Sequence, residues 1–258
     1  MCLILLAVNV HPDFKLVLAA NRDEFYDRPS EPPHFWKDTP DLLAGRDLVA
    51  GGSWLGVTRK GRIGAITNYR DPASIKPKAP SRGKLLTDFL IGDLDPMSYL
   101  DRVRRDKDDY NGFNLLLGSC DRLTWYSNRV DKVIPLAQGI YGLSNHLLDT
   151  PWPKLVKAKA RFKEILDAGN RPSPESLFQL LKDQSGAPDK DLPNTGMPLE
   201  WERILSPIFI KSPAYGTRSS TIVLVSREGH LTFLDRTFNG SPKPVFSSAF
   251  HFALEPSD

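Results

Sequence analysis

An apolar run, Leu3-Ile4-Leu5-Leu6-Ala7-Val8, begins at the third residue of this chain, and a second, Leu16-Val17-Leu18-Ala19-Ala20, follows a short His11-Pro12-Asp13-Phe14 connection. Neither run alternates apolar with polar residues, so both read as strands buried on two faces. A hairpin from Cys2 to Val10 and Lys15 to Ala20 therefore belongs inside a layered domain. Its open end brings Cys2 close to the polar residues that follow Ala20.

The rest of the chain supplies the layers. A Pro-rich segment from Arg28 to Pro40 is expected to interrupt regular structure, and the glycine-dense Gly51-Gly52-Ser53-Trp54-Leu55-Gly56-Val57 leads into short strands that turn at Gly61 and end at Asn68. Helical spacing begins after Ser81, with Leu85, Leu86, Phe89 and Leu90 recurring. Asp95-Pro96 then reads as an N-cap followed by proline at the first helical position. Strands are predicted over Phe113–Gly118, Leu123–Ser127 and Ile140–Leu143, helices over about Lys154–Ala168 and Pro174–Lys182, and final strands over Ser220–Ser226 and His230–Asp235. Gln184 to Pro198 reads as a long loop or lid. Strands, then helices, then strands again predict an α+β domain of mostly antiparallel sheets, a single unit over residues 1–258 with no internal repeat.

Composition narrows the function classes. A net charge of +3 with acids and bases intermixed excludes a nucleic-acid binder. The apolar run after Cys2 is too short to span a membrane, and no other run approaches that length. Two cysteines, Cys2 and Cys120, in a chain of 258 residues favour a reduced, cytoplasmic setting. The five histidines are dispersed without metal-ligand spacing, and the glycine-dense stretch lacks the lysine of a phosphate-binding loop.

Cys2 carries the chemistry. Once Met1 is removed, its thiol stands beside its own α-amine, so nucleophile and base share one residue; the alternative is a small buried hydrophobe opening a strand. Asn21-Arg22-Asp23-Glu24, just after the second apolar run, offers a cation to favour the thiolate and a carboxylate to hold an ammonium, or else a surface ionic turn. Asn68, within Thr67-Asn68-Tyr69-Arg70, and Asn145, within Gly142-Leu143-Ser144-Asn145-His146, are oxyanion donors or turn formers. Arg218, ahead of a β-branched strand, is a carboxylate clamp or a structural ion-pair partner.

Met1-Cys2, Asn21-Arg22-Asp23-Glu24, Gly45-Arg46-Asp47, Gly51-Gly52-Ser53-Trp54-Leu55-Gly56, Thr67-Asn68-Tyr69-Arg70, Gly142-Leu143-Ser144-Asn145 and Gly216-Thr217-Arg218-Ser219-Ser220-Thr221 occur in this order. Together they resemble the NRDE family, also called the transport and Golgi organisation protein 2 family, from Met1 to about Thr237. The resemblance implies a four-layer αββα sandwich of the N-terminal-nucleophile hydrolase type, similar to penicillin V acylases. In those enzymes a processed cysteine works with an arginine and an aspartate at the end of strand two, two oxyanion asparagines and a late arginine. Cys2, Arg22, Asp23, Asn68, Asn145 and Arg218 match those roles. The spacing departs from the acylases, because adjacent Arg22 and Asp23 point to opposite faces of a regular strand, so that Asn21 or Glu24 could replace one of them.

No settled reaction belongs to the family, whose members have been linked to haem trafficking and to lipid and acyl-CoA handling. The resemblance thus implies a small-molecule ligand, haem or an acyl lipid, held near Asn21, Glu24, Trp54, Tyr69, Arg70 and His146. His146 or Cys2 would serve as axial ligand to haem, and Arg22, Arg70 or Arg218 would meet anionic groups. No cofactor is required by this reading. The alternative is an amidohydrolase in which Cys2 attacks an amide. A eukaryotic source would add a mitochondrial or Golgi association to the cytoplasmic expectation.

Overall fold

The structure is a computed structural model that describes residues 2–169 and 171–255. The two apolar runs are strands β1 (Cys2–Val8) and β2 (Phe14–Phe25), paired antiparallel so that Cys2 faces Arg22 across the ladder. They are followed by β3 (Ser30–Phe35), β4 (Leu42–Asp47), β5 (Leu55–Thr58), β6 (Arg62–Asn68), α1 (Arg82–Ile91), α2 (Pro96–Arg105), β7 (Phe113–Ser119), β8 (Arg122–Ser127), β9 (Lys132–Pro135) and β10 (Gly139–Leu143). The chain continues through α3 (Pro153–Asp167), α4 (Pro174–Leu181), α5 (Leu199–Ile204), β11 (Tyr215–Ser226), β12 (His230–Thr237) and β13 (Phe246–Ala253).

One sheet runs β10-β1-β2-β11-β12-β13 and the other β3-β4-β5-β6-β7-β8-β9, with every pairing antiparallel. Strand periodicity assigns each side chain to a layer. Ile4, Leu6, Leu18 and Ala20 face the second sheet, where Leu55, Val57, Ala65 and Trp125 meet them. Leu3, Leu5, Val17 and Ala19 face the opposite way, onto Leu155, Phe162, Leu177 and Leu181 of α3 and α4. Behind the second sheet, Leu42, Ala44, Leu115 and Leu117 pack on Leu86, Phe89 and Leu100 of α1 and α2. The result is the expected α+β sandwich in the layer order αββα, and β1 and β2 are dry on both faces because each lies between a sheet and a helix layer.

Several expectations need correction. The Pro-rich segment contains β3: it sits at the sheet edge, where a missing N–H is tolerated, and a register shift between Glu31 and His34 accommodates Pro32 and Pro33. Residues Asn21 to Glu24 do not form a turn, since β2 continues to Phe25. Ser81 occupies the N-cap of α1 without a capping hydrogen bond, whereas Asp95 caps α2 by accepting from the N–H groups of Met97 (2.9 Å) and Ser98 (3.1 Å). Strands β4, β9 and β13 and helix α5 were not anticipated. Among the described residues no helix is long and apolar enough to cross a membrane.

Candidate functional site

The pairing of β1 with β2 places the first described residue beside the polar end of its partner. Cys2 and Arg22 share the face that looks into the inter-sheet space, as Ile4 and Ala20 do one step further in. Arg22 is 7% exposed, stacks its guanidinium 4.2 Å above the Trp54 ring and donates to Ser30 Oγ at 3.3 Å. Trp54 can lie there because residue 45 is glycine: a Cβ at Gly45 would come within 2.4 Å of the indole. Burial draws the Arg22 guanidinium below its ordinary value, while Glu24 and Cys2 draw it back up.

Asp23 looks the other way, as adjacency in a strand requires. Its Oδ1 accepts from Thr217 Oγ1 at 2.7 Å, and burial raises its carboxyl while Lys154, Thr217 and Arg22 counteract. Asp23 nevertheless reaches the thiol through its backbone N–H, which favours the thiolate. Burial, the largest influence, and the Asp23 charge push Cys2 above the ordinary cysteine value, while Arg22 and the Asp23 N–H oppose the rise. The expectation that Met1 is removed falls on a residue outside those described.

Asn68 and Asn145 come together at the same end. Asn145, fully buried, donates its side-chain amide to the Asn68 carbonyl at 2.9 Å, and Ser144 Oγ donates to the Cys2 carbonyl at 3.1 Å. Cys2, Arg22 and Asn68 then open onto a cleft of about 510 Å³, which a second cavity of about 210 Å³ adjoins through Asn68, Arg82 and Asn111. Glu24 and Trp54 line the larger cleft. Among the described residues no group of three or more His, Cys, Asp or Glu side chains is arranged to hold a metal ion.

Five residues expected to meet a ligand are engaged in bonds within the protein, although Tyr69 and Arg70 also line the smaller cavity. Asn21 faces the helix layer, donating to the carbonyls of Leu181 and Ile208, both at 2.9 Å, and accepting from Ser220 Oγ at 2.6 Å. Tyr69 bonds His146 Nε2 at 2.6 Å, and Thr150 holds His146 Nδ1 at 2.8 Å, so both ring nitrogens are occupied and an axial bond from His146 would break one. Arg70 forms a buried ion pair with Glu202 and lies 4.6 Å from the Trp152 ring centroid. Arg218 is the bulged residue between Thr217 and Ser219, and its Nη1 donates to the carbonyls of Phe25 (2.8 Å), Tyr26 (3.1 Å) and Arg28 (3.1 Å). It fastens the turn after β2 instead of clamping a ligand. Arg218→Lys should accordingly lower stability by about 1 kcal/mol and leave ligand affinity unchanged, to be checked by melting and by ligand titration of the same protein.

The cleft uses residues that the sequence reading passed over. Arg28, held bidentate by Asp47 at 3.2 and 2.6 Å, and Arg82, which donates to the Gly112 carbonyl at 2.9 Å, stand on its walls. Lys154 is buried in the helix layer, donating to the Leu205 carbonyl at 3.0 Å, and its signal was present: it falls on the four-residue spacing of Ala158, Phe162 and Leu166, the buried stripe of α3. Asp235, buried opposite Thr221 on the inter-sheet side, has its carboxyl pushed up to about 7 by burial.

A family model described as Transport and Golgi organisation 2 matches residues 1–240. The chain is 35% identical over 271 residues to the Transport and Golgi organization protein 2 homolog of Bos taurus, covering 97% of this chain and 98% of the relative. It is 37% identical over 257 residues to the Homo sapiens homolog, covering 92% and 93%. Among solved structures it resembles a conjugated bile acid hydrolase from Clostridium perfringens (TM-score 0.55, 10% identity, 96% of this chain and 92% of that one). It also resembles penicillin V acylase from Agrobacterium tumefaciens (TM-score 0.53, 11% identity, 98% and 86%). At such identities the structural likeness establishes the fold, that of the N-terminal-nucleophile hydrolase acylases, and no activity. The family match and these homologues together establish that the chain belongs to the Transport and Golgi organisation 2 family.

Proposed function

We propose that the Cys2 cleft handles a small anionic amphiphile, an acyl-CoA or acyl lipid, in a reduced, cytoplasmic setting where both cysteines stay as thiols. The observation that carries this reading is the division of the cleft wall. Arg22, Arg28 and Arg82 lie on the same cleft as Val49, Trp54, Ile66 and Pro80, which offers guanidinium donors to a phosphate or carboxylate and apolar surface to a chain. Haem is the other ligand the same wall could take. Of its two expected axial groups, the Cys2 thiol lines the cleft and His146 is held by Tyr69 and Thr150.

Titrating the protein with palmitoyl-CoA, free CoA and haem tests the proposal. The expected result is saturable binding of palmitoyl-CoA, stronger than that of CoA alone and weakened at least tenfold, about 1.4 kcal/mol, by Arg82→Ala. A saturable Soret shift that Cys2→Ala removes would assign the cleft to haem instead, and no saturable binding of either ligand overturns the reading.

A second reading, a cysteine amidohydrolase, is favoured by the convergence of Cys2, Arg22, the Asp23 N–H and the Asn145–Asn68 pair. In it Cys2 attacks an amide carbonyl and its own α-amine carries the thiol proton to the leaving nitrogen. An intact mass that retains Met1 removes the base and with it this second reading.

A further inference from the structure

The smaller cavity beside the Cys2 cleft, about 210 Å³, takes two guanidiniums from separate elements: Arg82 from the first turn of α1 and Arg129 from the turn between β8 and β9. Tyr69, Asp71, Asn111 and Gly112 stand on the same wall. Arg82 donates Nη1 to the Gly112 carbonyl at 2.9 Å and forms no ion pair among the described residues. Arg129 is held from one side. Its Nη2 meets the Asp71 carboxylate at 3.2 Å and the Ser74 hydroxyl, while its Nε is buried with no hydrogen-bond partner. Gly112 leaves the room for this arrangement, since a Cβ there would stand 2.5 Å from that Nε and 2.9 Å from the Tyr69 Cβ.

Guanidiniums gathered on one small cavity repel each other until an anion enters between them. Arg70 lines this cavity too, paired with Glu202 as Arg129 is with Asp71, so three cations are matched there by two carboxylates. Burial, the largest influence, draws Arg82 below its ordinary arginine value; Glu24 and Cys2 oppose the fall, and Arg28 and Arg129 deepen it. The cavity therefore favours an anion. A carboxylate would bring one charge and two oxygens, whereas a phosphate monoester brings about two charges and three oxygens. The phosphate can answer both Arg82 and Arg129 at once, each through its fork of N–H groups.

We propose that the side cavity is a phosphate-monoester subsite, where Arg82 and Arg129 take the phosphate of a ligand whose acyl part lies in the Cys2 cleft. The two spaces are continuous at Asn68, Arg82 and Asn111, which line both. The inference rests on the reading of that cleft as an amphiphile site and narrows it: Arg129 selects a phosphorylated ligand over a plain carboxylate or a neutral acyl lipid. A nucleotide thioester and a lipid headgroup can both carry this phosphate.

Calorimetric titration of the full chain with palmitoyl-CoA and with palmitoyl-3′-dephospho-CoA, which differ by one phosphate monoester, tests the assignment. The wild-type protein should bind the phosphorylated ligand at least about tenfold more tightly, and Arg129→Gln should bring the two affinities together. If Arg129→Gln does not fold, Arg129→Lys, which keeps a charge for Asp71 but loses the fork, should remove most of the preference. Palmitoyl lysophosphatidate bound more tightly than palmitoyl-CoA, and weakened at least as much by Arg129→Gln, keeps the subsite and names a lipid headgroup as its source. Inorganic phosphate, followed by phosphorus NMR, separates this inference from the reading it rests on: saturable broadening in the wild type, lost in Arg129→Gln, supports the subsite even where no acyl ligand binds. A variant that weakens both thioesters alike marks Arg129 as a brace of its turn and overturns the assignment. So does a variant that binds every phosphorylated probe as the wild type does, or a wild type to which none of them binds.

Discussion

Arg70→Met is expected to cost about 3–5 kcal/mol of folding stability, the range for removing one partner of a buried ion pair. The side chains of Arg70 and Glu202 are 5% and 3% exposed, so neither can recover its hydration when the other is lost. Methionine matches the arginine stem in length and keeps the apolar contact with Trp152, whose ring the guanidinium covers. What remains is a carboxylate in a nearly dry site with Thr195 as its hydrogen-bond donor. The double variant Arg70→Met with Glu202→Met should regain most of the loss, because a well-packed apolar pair avoids the desolvation that an ion pair incurs. Urea unfolding reads both values; a single-variant loss under about 1 kcal/mol would place the pair among weak, solvent-screened bridges. The backbone N–H of Arg70 holds the Asn145 carbonyl at 2.7 Å, so unfolding midpoint and ligand affinity measured together separate a loosened site from a loosened fold.

The fold was legible where periodicity speaks. Unbroken apolar runs identified β1 and β2 as doubly covered strands, and the resemblance supplied the layer order that the packing of Leu5 on Phe162 and of Leu6 toward the second sheet then displays. Strand β3 was illegible because Pro32 and Pro33 argue against a strand everywhere except at a bulged edge, and edge position is a tertiary fact. At the site, the antiparallel return of β2 brought the segment from Asn21 to Glu24 near Cys2 from sequence alone, and the register of the ladder then sets Arg22 opposite Cys2. The polarity of neighbouring residues misled more. Arg218 reads as a pocket arginine only if its strand is regular; the bulge at that position turns it toward the carbonyls of the 25–28 turn. Arg82 gives no local signal, since the cleft it lines is assembled from distant loops, whereas Lys154 does, being a cation on an otherwise apolar helix stripe.

Asn21→Leu should destabilise the protein by at least about 3 kcal/mol, at roughly 1–3 kcal/mol for each buried polar group left without its partner. Three groups lose theirs: the Leu181 carbonyl at the end of α4, the Ile208 carbonyl ahead of β11, and the Ser220 hydroxyl. Leucine has nearly the shape of asparagine but can bond none of them, and with Asn21 only 1% exposed water cannot easily take its place. Asn21→Asp would not repair the site, since a carboxylate presents acceptors to two carbonyl oxygens that need donors. Ligand binding to the folded fraction should survive either change, because the side chain points away from the cleft into the helix layer. Denaturant unfolding paired with ligand titration distinguishes the two roles: normal stability with lost affinity would make Asn21 a ligand contact. Lost stability with retained affinity makes it the bolt between α4, the chain entering β11 and the strand that carries Arg22 and Asp23, which is how a residue one position from Arg22 can matter to the site without touching what binds there.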